Sequence, residues 1–207
     1  HMTWDNATPP ALTVAPGEVV VFEEVDAVCG QITPDSGVEV ITNLDFARVN
    51  PVAGPVYVDG AEPGDSLKVT LLDFSPSGWA WTAIVPGFGL LADDFPEAAL
   101  NIWHYDKDWG KAAAMSDFAR VPLQPFCGTT GVARAEPGGH STIPPYNTGG
   151  NMDIRDLTLG VDLYLPVQVP GARFSIGDPH CAQGDGDVCG TAIESPMGVT
   201  ARLDLVK

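Results

Sequence analysis

Turn chemistry interrupts this chain so often that long helices have little room to run: 23 glycines and 19 prolines fall among 207 residues. Glycine populates backbone conformations closed to other residues, and proline removes an amide donor, so both break helices and mark turns. The pattern argues against a helical bundle and for a loop-rich, mostly β architecture. Apolar residues still make up 44% of the chain, too many for a disordered acidic tail and enough to bury a sizeable core.

The apolar runs are short and bounded by turns, which is the pattern of strands. Glu18 to Glu24 (EVVVFEE) follows Pro16-Gly17, Val56 to Asp59 lies between Gly54-Pro55 and Gly60, and Ser66 to Leu72 follows Pro63-Gly64-Asp65. Val38 to Leu44 reads as a further strand, with later ones over Leu157 to Val169, Ala172 to Ile176 and Val199 to Val206. Helix candidates are confined to Phe95–Asn101 and Lys111–Phe118, each a few turns at most. Residues 124–151, rich in glycine and proline, read as one long loop, and long ordered loops are disproportionately functional.

Charge narrows the partners. With 27 Asp and Glu against 10 Lys and Arg the net charge is −17, which disfavours nucleic acid and anionic membrane surfaces. Cys29, Cys127, Cys181 and Cys189 are widely and irregularly spaced, fitting reduced cytosolic thiols better than a disulfide framework or a zinc knuckle. No stretch approaches eighteen consecutive apolar residues. A cytoplasmic setting is the expectation, with the leading His1-Met2 left out of the reading.

Chemistry concentrates in the last third. Gly149-Gly150-Asn151-Met152-Asp153 sets an amide and a carboxylate just after a flexible double glycine. Residues 177–194, GDPHCAQGDGDVCGTAIE, then bring one imidazole, three aspartates, a glutamate and two thiols together, interleaved with glycine. The DGD core does not match an EF-hand spacing. A histidine among carboxylates suits a divalent ion that activates water. Cys189 with His180 and Glu194 would instead supply nucleophile, base and orienter for acyl transfer. A glycine- and aspartate-rich turn around a satisfied histidine is the structural alternative. The tryptophans and tyrosine at positions 79–109 read as sheet packing.

These segments carry a resemblance. Asp26 with Gly30-Gln31, Arg48 to Val58 (RVNPVAGPVYV), Gly60 to Asp65 (GAEPGD), GGNMD and the 177–194 stretch run in the order of the acetamidase/formamidase family of amide hydrolases, which the chain resembles from about residue 15 onward. The resemblance implies an α+β, predominantly β fold of packed, β-sandwich-like sheets with few short helices, and a single domain over residues 3–207. The resemblance implies that family members extend beyond the position of Lys207 into a partly helical C-terminal portion, and Asp187 stands where the family often reads Glu. The implied activity is hydrolysis of short-chain amides such as formamide or acetamide to carboxylate and ammonia. Homodimers or higher homo-oligomers and a divalent metal, zinc first and calcium second, belong to the same expectation.

Residue roles follow as expectations under that resemblance. His180, Asp26 and Asp153 are the metal-ligand candidates, Glu194 the general base and proton donor, and Asn151 the donor to the carbonyl oxygen. Asp185 and Asp187 are the substrate-binding candidates. Cys189 is held as the nucleophile of an alternative, metal-free amidase, and a non-catalytic binding domain that retains the fold is the other alternative.

Overall fold

The computed structural model describes residues 1–207. Along Glu18–Glu24 burial alternates: Val20, Phe22 and Glu24 turn inward while Val19, Val21 and Glu23 face out. Period-two alternation of this kind makes a strand with one face on a core. It forms one edge of a four-stranded antiparallel sheet, in the order Asp162–Pro166, Ser66–Pro76, Met197–Val206, Glu18–Glu24.

A five-stranded sheet faces it, in the order Gly149–Asn151, Phe126–Gly131, Phe174–His180, Val52–Val58, Leu12–Val14. All its pairs are antiparallel except the last. One core joins the sheets: Phe22 meets the Phe174 ring edge-on at 5.8 Å, and Leu67, Val69 and Leu203 share the cluster with Val56, Val58 and Ile176. Each such side chain contributes about 1.5–3 kcal/mol by leaving water. The fold is therefore the expected packed-sheet, predominantly β arrangement.

A hairpin of Trp79–Ile84 with Ala99–His104 extends from the sandwich. Beneath it Val28, Ile32, Ile41, Trp81 and Ala83 form a smaller apolar cluster. This second cluster fixes residues 26–50 against the hairpin and so builds one wall of the site.

Several local expectations need correction. Val38–Asn43 is a 3-10 helix rather than a strand, pinned by Ile41 in the small cluster. The two α-helices do not form. Ala99–His104 is a strand paired with Trp79–Ile84, and Ala113–Met115 pairs with Ala119–Val121; with so few apolar residues at helical spacing, sheet pairing wins. Residues 124–151 are not one loop, because Phe126–Gly131 is a fully buried strand at the heart of the five-stranded sheet. Buried on both faces, it carries no alternation to read. The long Leu157–Val169 run contracts to Asp162–Pro166, and the strand placed at 172–176 runs instead over Phe174–His180. All four cysteines are free thiols, and no helix is long and apolar enough to cross a membrane.

Candidate active site

The site is built at one end of the two central strands, Phe126–Gly131 and Phe174–His180, in which every residue is buried. Asp178 and His180, two apart on the second strand, direct their side chains to the same side. The 149–151 strand delivers Asp153 to them, because the Gly128 carbonyl accepts both the Met152 amide (2.9 Å) and the Asp153 amide (3.1 Å). Gly128 is also the space that the site fills. A Cβ there would lie 2.7 Å from Asp178 Oδ2 and 2.9 Å from His180 Cε1, and would overlap Asp153 Oδ1. One carboxylate oxygen each from Asp153 and Asp178 and one ring nitrogen of His180 lie within 4.8 Å of one another.

Glu194 reaches the same histidine from the hairpin side. Its backbone exchanges hydrogen bonds with Trp81, 2.8 Å in each direction, and the neighbouring Ser195 amide donates to Pro179. Its Oε1 accepts the Ala192 amide at 2.8 Å. Its Oε2 stands 3.1 Å from His180 Nε2, the same distance at which Asp178 Oδ1 approaches that nitrogen. A single N–H cannot serve two carboxylates well, and His180 Nδ1 is buried with no partner at all. The Phe126 ring packs edge-on against the imidazole at 5.0 Å.

Burial governs the electrostatics. It raises the Asp153 carboxyl to about 6, with Asp178 adding repulsion and His180 opposing. Burial likewise pushes Glu194 and Asp187 upward. It opposes protonation of His180, yet the Glu194 and Asp178 carboxylates outweigh it and hold the imidazole's proton affinity well above the ordinary range. The backbone is strained here as well: Asp153, Asp178, Asp187 and Asn50 all take left-handed φ values, between 39° and 58°. Such conformations cost about 1–3 kcal/mol each and cluster where function demands them.

The other expected residues divide. Asn151 and Asp187 line the same cavity as His180 and Glu194. Asn151 accepts the Thr129 hydroxyl at 2.9 Å and donates to the Ile143 carbonyl at 2.9 Å, so its orientation is fixed. Asp187 keeps a buried Oδ1 without a partner. Asp26 stands outside the trio; its Oδ1 accepts the Val28 and Gly30 amides, which makes it the organiser of the 26–30 turn. Asp185 is exposed, 3.8 Å from Arg155 Nε, and does not reach the cavity. Cys189 donates its thiol to the Thr191 carbonyl and faces a separate apolar cavity, away from His180.

Three site residues carried a weaker signal. Asp178 stands in DPH, where its spacing of two from His180 places both on one strand face. Gly128 lies in a run that reads as loop. Asn50 donates to the Thr142 carbonyl, and its Oδ1 lies 3.2 Å from the Thr129 hydroxyl oxygen, whose one hydrogen it shares with Asn151.

Comparison with known proteins places this geometry. The model of the Acetamidase/Formamidase family matches residues 1–138 and 133–207. An acetamidase from Mycolicibacterium smegmatis is 31% identical over 268 aligned positions, covering all of this chain and 66% of the relative. Because 268 positions exceed the 207 residues of the chain, that relative carries extra segments inside the matched span as well as beyond it. The crystal structure of an acetamidase from Bacillus halodurans superposes with a TM-score of 0.93 at 32% identity, over all of this chain and 68% of that one. A gamma lactamase from Delftia acidovorans superposes with a TM-score of 0.92 at 28% identity, over all of this chain and 64% of its own. The chain thus spans about two thirds of the length of the relatives it matches. With the family's model matching this chain from its first residue to its last, the chain belongs to the Acetamidase/Formamidase family.

Proposed function

We propose that the protein hydrolyses the carbon–nitrogen bond of amides, R–CO–NH2 plus water giving the carboxylic acid and ammonia. The observation that carries this reading is the convergence of Asp153, Asp178 and His180 with Glu194 in one cavity of a chain from an amide-hydrolase family. Two carboxylates and an imidazole, whose Nδ1 is buried without a partner, form an oxygen–nitrogen donor set that fits a divalent ion, zinc first. Calcium, which takes six or more oxygen ligands, is the weaker fit. When bound, such an ion supplies Lewis acidity and lowers the pKa of water.

The chain's own residues do the rest. Glu194, its proton affinity raised by burial, takes a proton from the attacking water and returns it to the departing nitrogen. Asn151 keeps a second N–H to donate to the carbonyl oxygen as charge gathers there. Asp187 offers its free oxygen to the substrate's amide N–H, while Asp26 holds the turn beneath them. The shared core of the two sheets supports reading residues 3–207 as one domain. The free thiols support a cytoplasmic setting, and Val19 and Val21, exposed on the edge strand, support a homodimer or larger homo-oligomer.

The test is metal content and ammonia release from formamide and acetamide, with and without a chelator, for the wild type and His180→Ala. Loss of both metal and activity in the variant is expected; undiminished metal and activity overturn the assignment. Activity that survives chelation but vanishes in Cys189→Ser would transfer the chemistry to the thiol. No ammonia under any condition would leave a binding domain.

A further inference from the structure

The cavity that holds His180 has a lining of two unlike kinds. Asp153, Asp178, His180, Asp187 and Glu194 put titratable groups into it, and Leu44, Phe46, Val49, Trp81, Phe88 and Ile143 give it apolar surface. Its volume is about 190 Å³, where a single water needs only about 10–15 Å³. Formamide and acetamide, with a hydrogen or one methyl on the carbonyl carbon, would engage the polar end and leave the apolar wall untouched. That wall is half in water: Phe46, Ile143 and Phe88 are 57%, 49% and 48% exposed at its mouth.

Phe88 has a special place. It stands between Gly87 and Gly89, both at positive φ (76° and 88°), on a turn pinned by the Leu90 amide to the Val188 carbonyl at 2.8 Å. A Cβ at Gly89 would come 2.8 Å from the Cys189 carbonyl oxygen, and one at Gly190 would come 2.7 Å from Cδ1 of the Phe88 ring. A second cavity of about 390 Å³ is lined by Ile84, Leu91, Phe95, Leu100, Met115 and Cys189 among others. Phe88 is the residue that the linings of the two cavities share.

We infer that the site takes primary amides whose acyl group is an apolar chain or ring larger than acetyl, and that Phe88 sets the length it accepts. This rests on the amide-hydrolase reading above. The amide end of such a molecule meets the carboxylate–histidine end, and its hydrocarbon covers the exposed wall. One added methylene in a fitted apolar pocket changes kcat/KM by about 10–200-fold. Removing the Phe88 ring merges the two cavities and lengthens the accepted chain.

The experiment measures kcat/KM by ammonia release from acetamide, butyramide, hexanamide, octanamide and benzamide, with calorimetric binding of hexanamide as a second readout. In the wild type, hexanamide or benzamide should exceed acetamide at least tenfold. Phe46→Ser should lower that ratio, and Phe88→Ala should raise octanamide relative to butyramide at least tenfold. Hydrolysis of acetamide with slower turnover of every larger amide would overturn this inference and leave amide hydrolysis standing. Should no amide be turned over, the hydrolase reading falls, and hexanamide binding that is absent, or unaltered by Phe88→Ala, overturns this inference too.

Discussion

Oε2 of Glu194 stands 3.1 Å from Nε2 of His180, both side chains nearly closed to solvent. The pair joins two parts of the fold, Glu194 being held by the hairpin and His180 by the central sheet. Glu194→Gln keeps the Oε1 that accepts the Ala192 amide, so the local backbone should hold. What it removes is proton transfer, a contribution of about 10²–10⁴ in rate. The expected result is a fall in kcat of that size, with a lower melting temperature because His180 loses one of its two buried carboxylate partners. A variant of wild-type kcat would remove Glu194 from the chemistry.

Gly128 gives a sharper structural test. Any side chain there meets Asp153, Asp178 and His180 together, and Asp178 and His180 belong to a fully buried strand that cannot easily recede. Gly128→Ala should therefore displace the metal-ligand candidates at an overpacking cost of about 1–3 kcal/mol. Metal stoichiometry should drop well below that of the wild type, with a lower melting temperature. Full metal loading in this variant would show that the trio is not the binding site.

How much of this was legible in the sequence depends on what each residue needed in order to be seen. Glu18–Glu24 declared itself, because one buried face imposes alternation. His180, Glu194, Asn151 and Asp153 stood out by residue type near flexible glycines, and the fold brings them to one cavity. Asp178 and Gly128 were hidden for a physical reason: a strand buried on both faces has no periodicity, and glycine-rich sequence looks like turn whether the glycine bends the chain or makes room for a neighbour. Asp26 and Asp185 show the converse. A carboxylate beside glycines serves a turn as readily as a site, and only the fold shows Asp26 capping backbone amides and Asp185 facing solvent.

The two aspartates of the DGD segment should accordingly behave differently. Asp187 lines the cavity with a buried oxygen free, whereas Asp185 makes one long exposed contact to Arg155. Asp187→Asn should raise KM for the amide about tenfold or more, since a buried acceptor turned donor no longer matches an amide N–H. Asp185→Asn should leave KM within about twofold, as exposed ion pairs are worth little. Equal effects from both would contradict the placement of the segment.

Glu24 makes a prediction about stability rather than turnover. Its carboxyl is buried, with Oε1 unpartnered and only the Cys127 thiol donating to Oε2, at 3.9 Å. Burial, reinforced by repulsion from Asp178, raises it from 4.5 to about 8. The folded protein therefore keeps a proton that the unfolded chain gives up above pH 4.5. The resulting stabilisation is complete below pH 4.5, erodes as pH rises, and is gone once pH passes about 8. Glu24→Gln keeps the shape and cannot titrate. The wild type should lose a few kcal/mol relative to this variant across that window, while the two curves run parallel outside it. Asp153 and His180, also raised by folding, lose stability in the same direction but do so in both proteins and cancel in the difference. Urea unfolding of the two proteins at matched metal content, from pH 4 to pH 9, makes the measurement. Curves that stay parallel throughout would mean that Glu24 ionises as readily in the folded protein as in the unfolded chain.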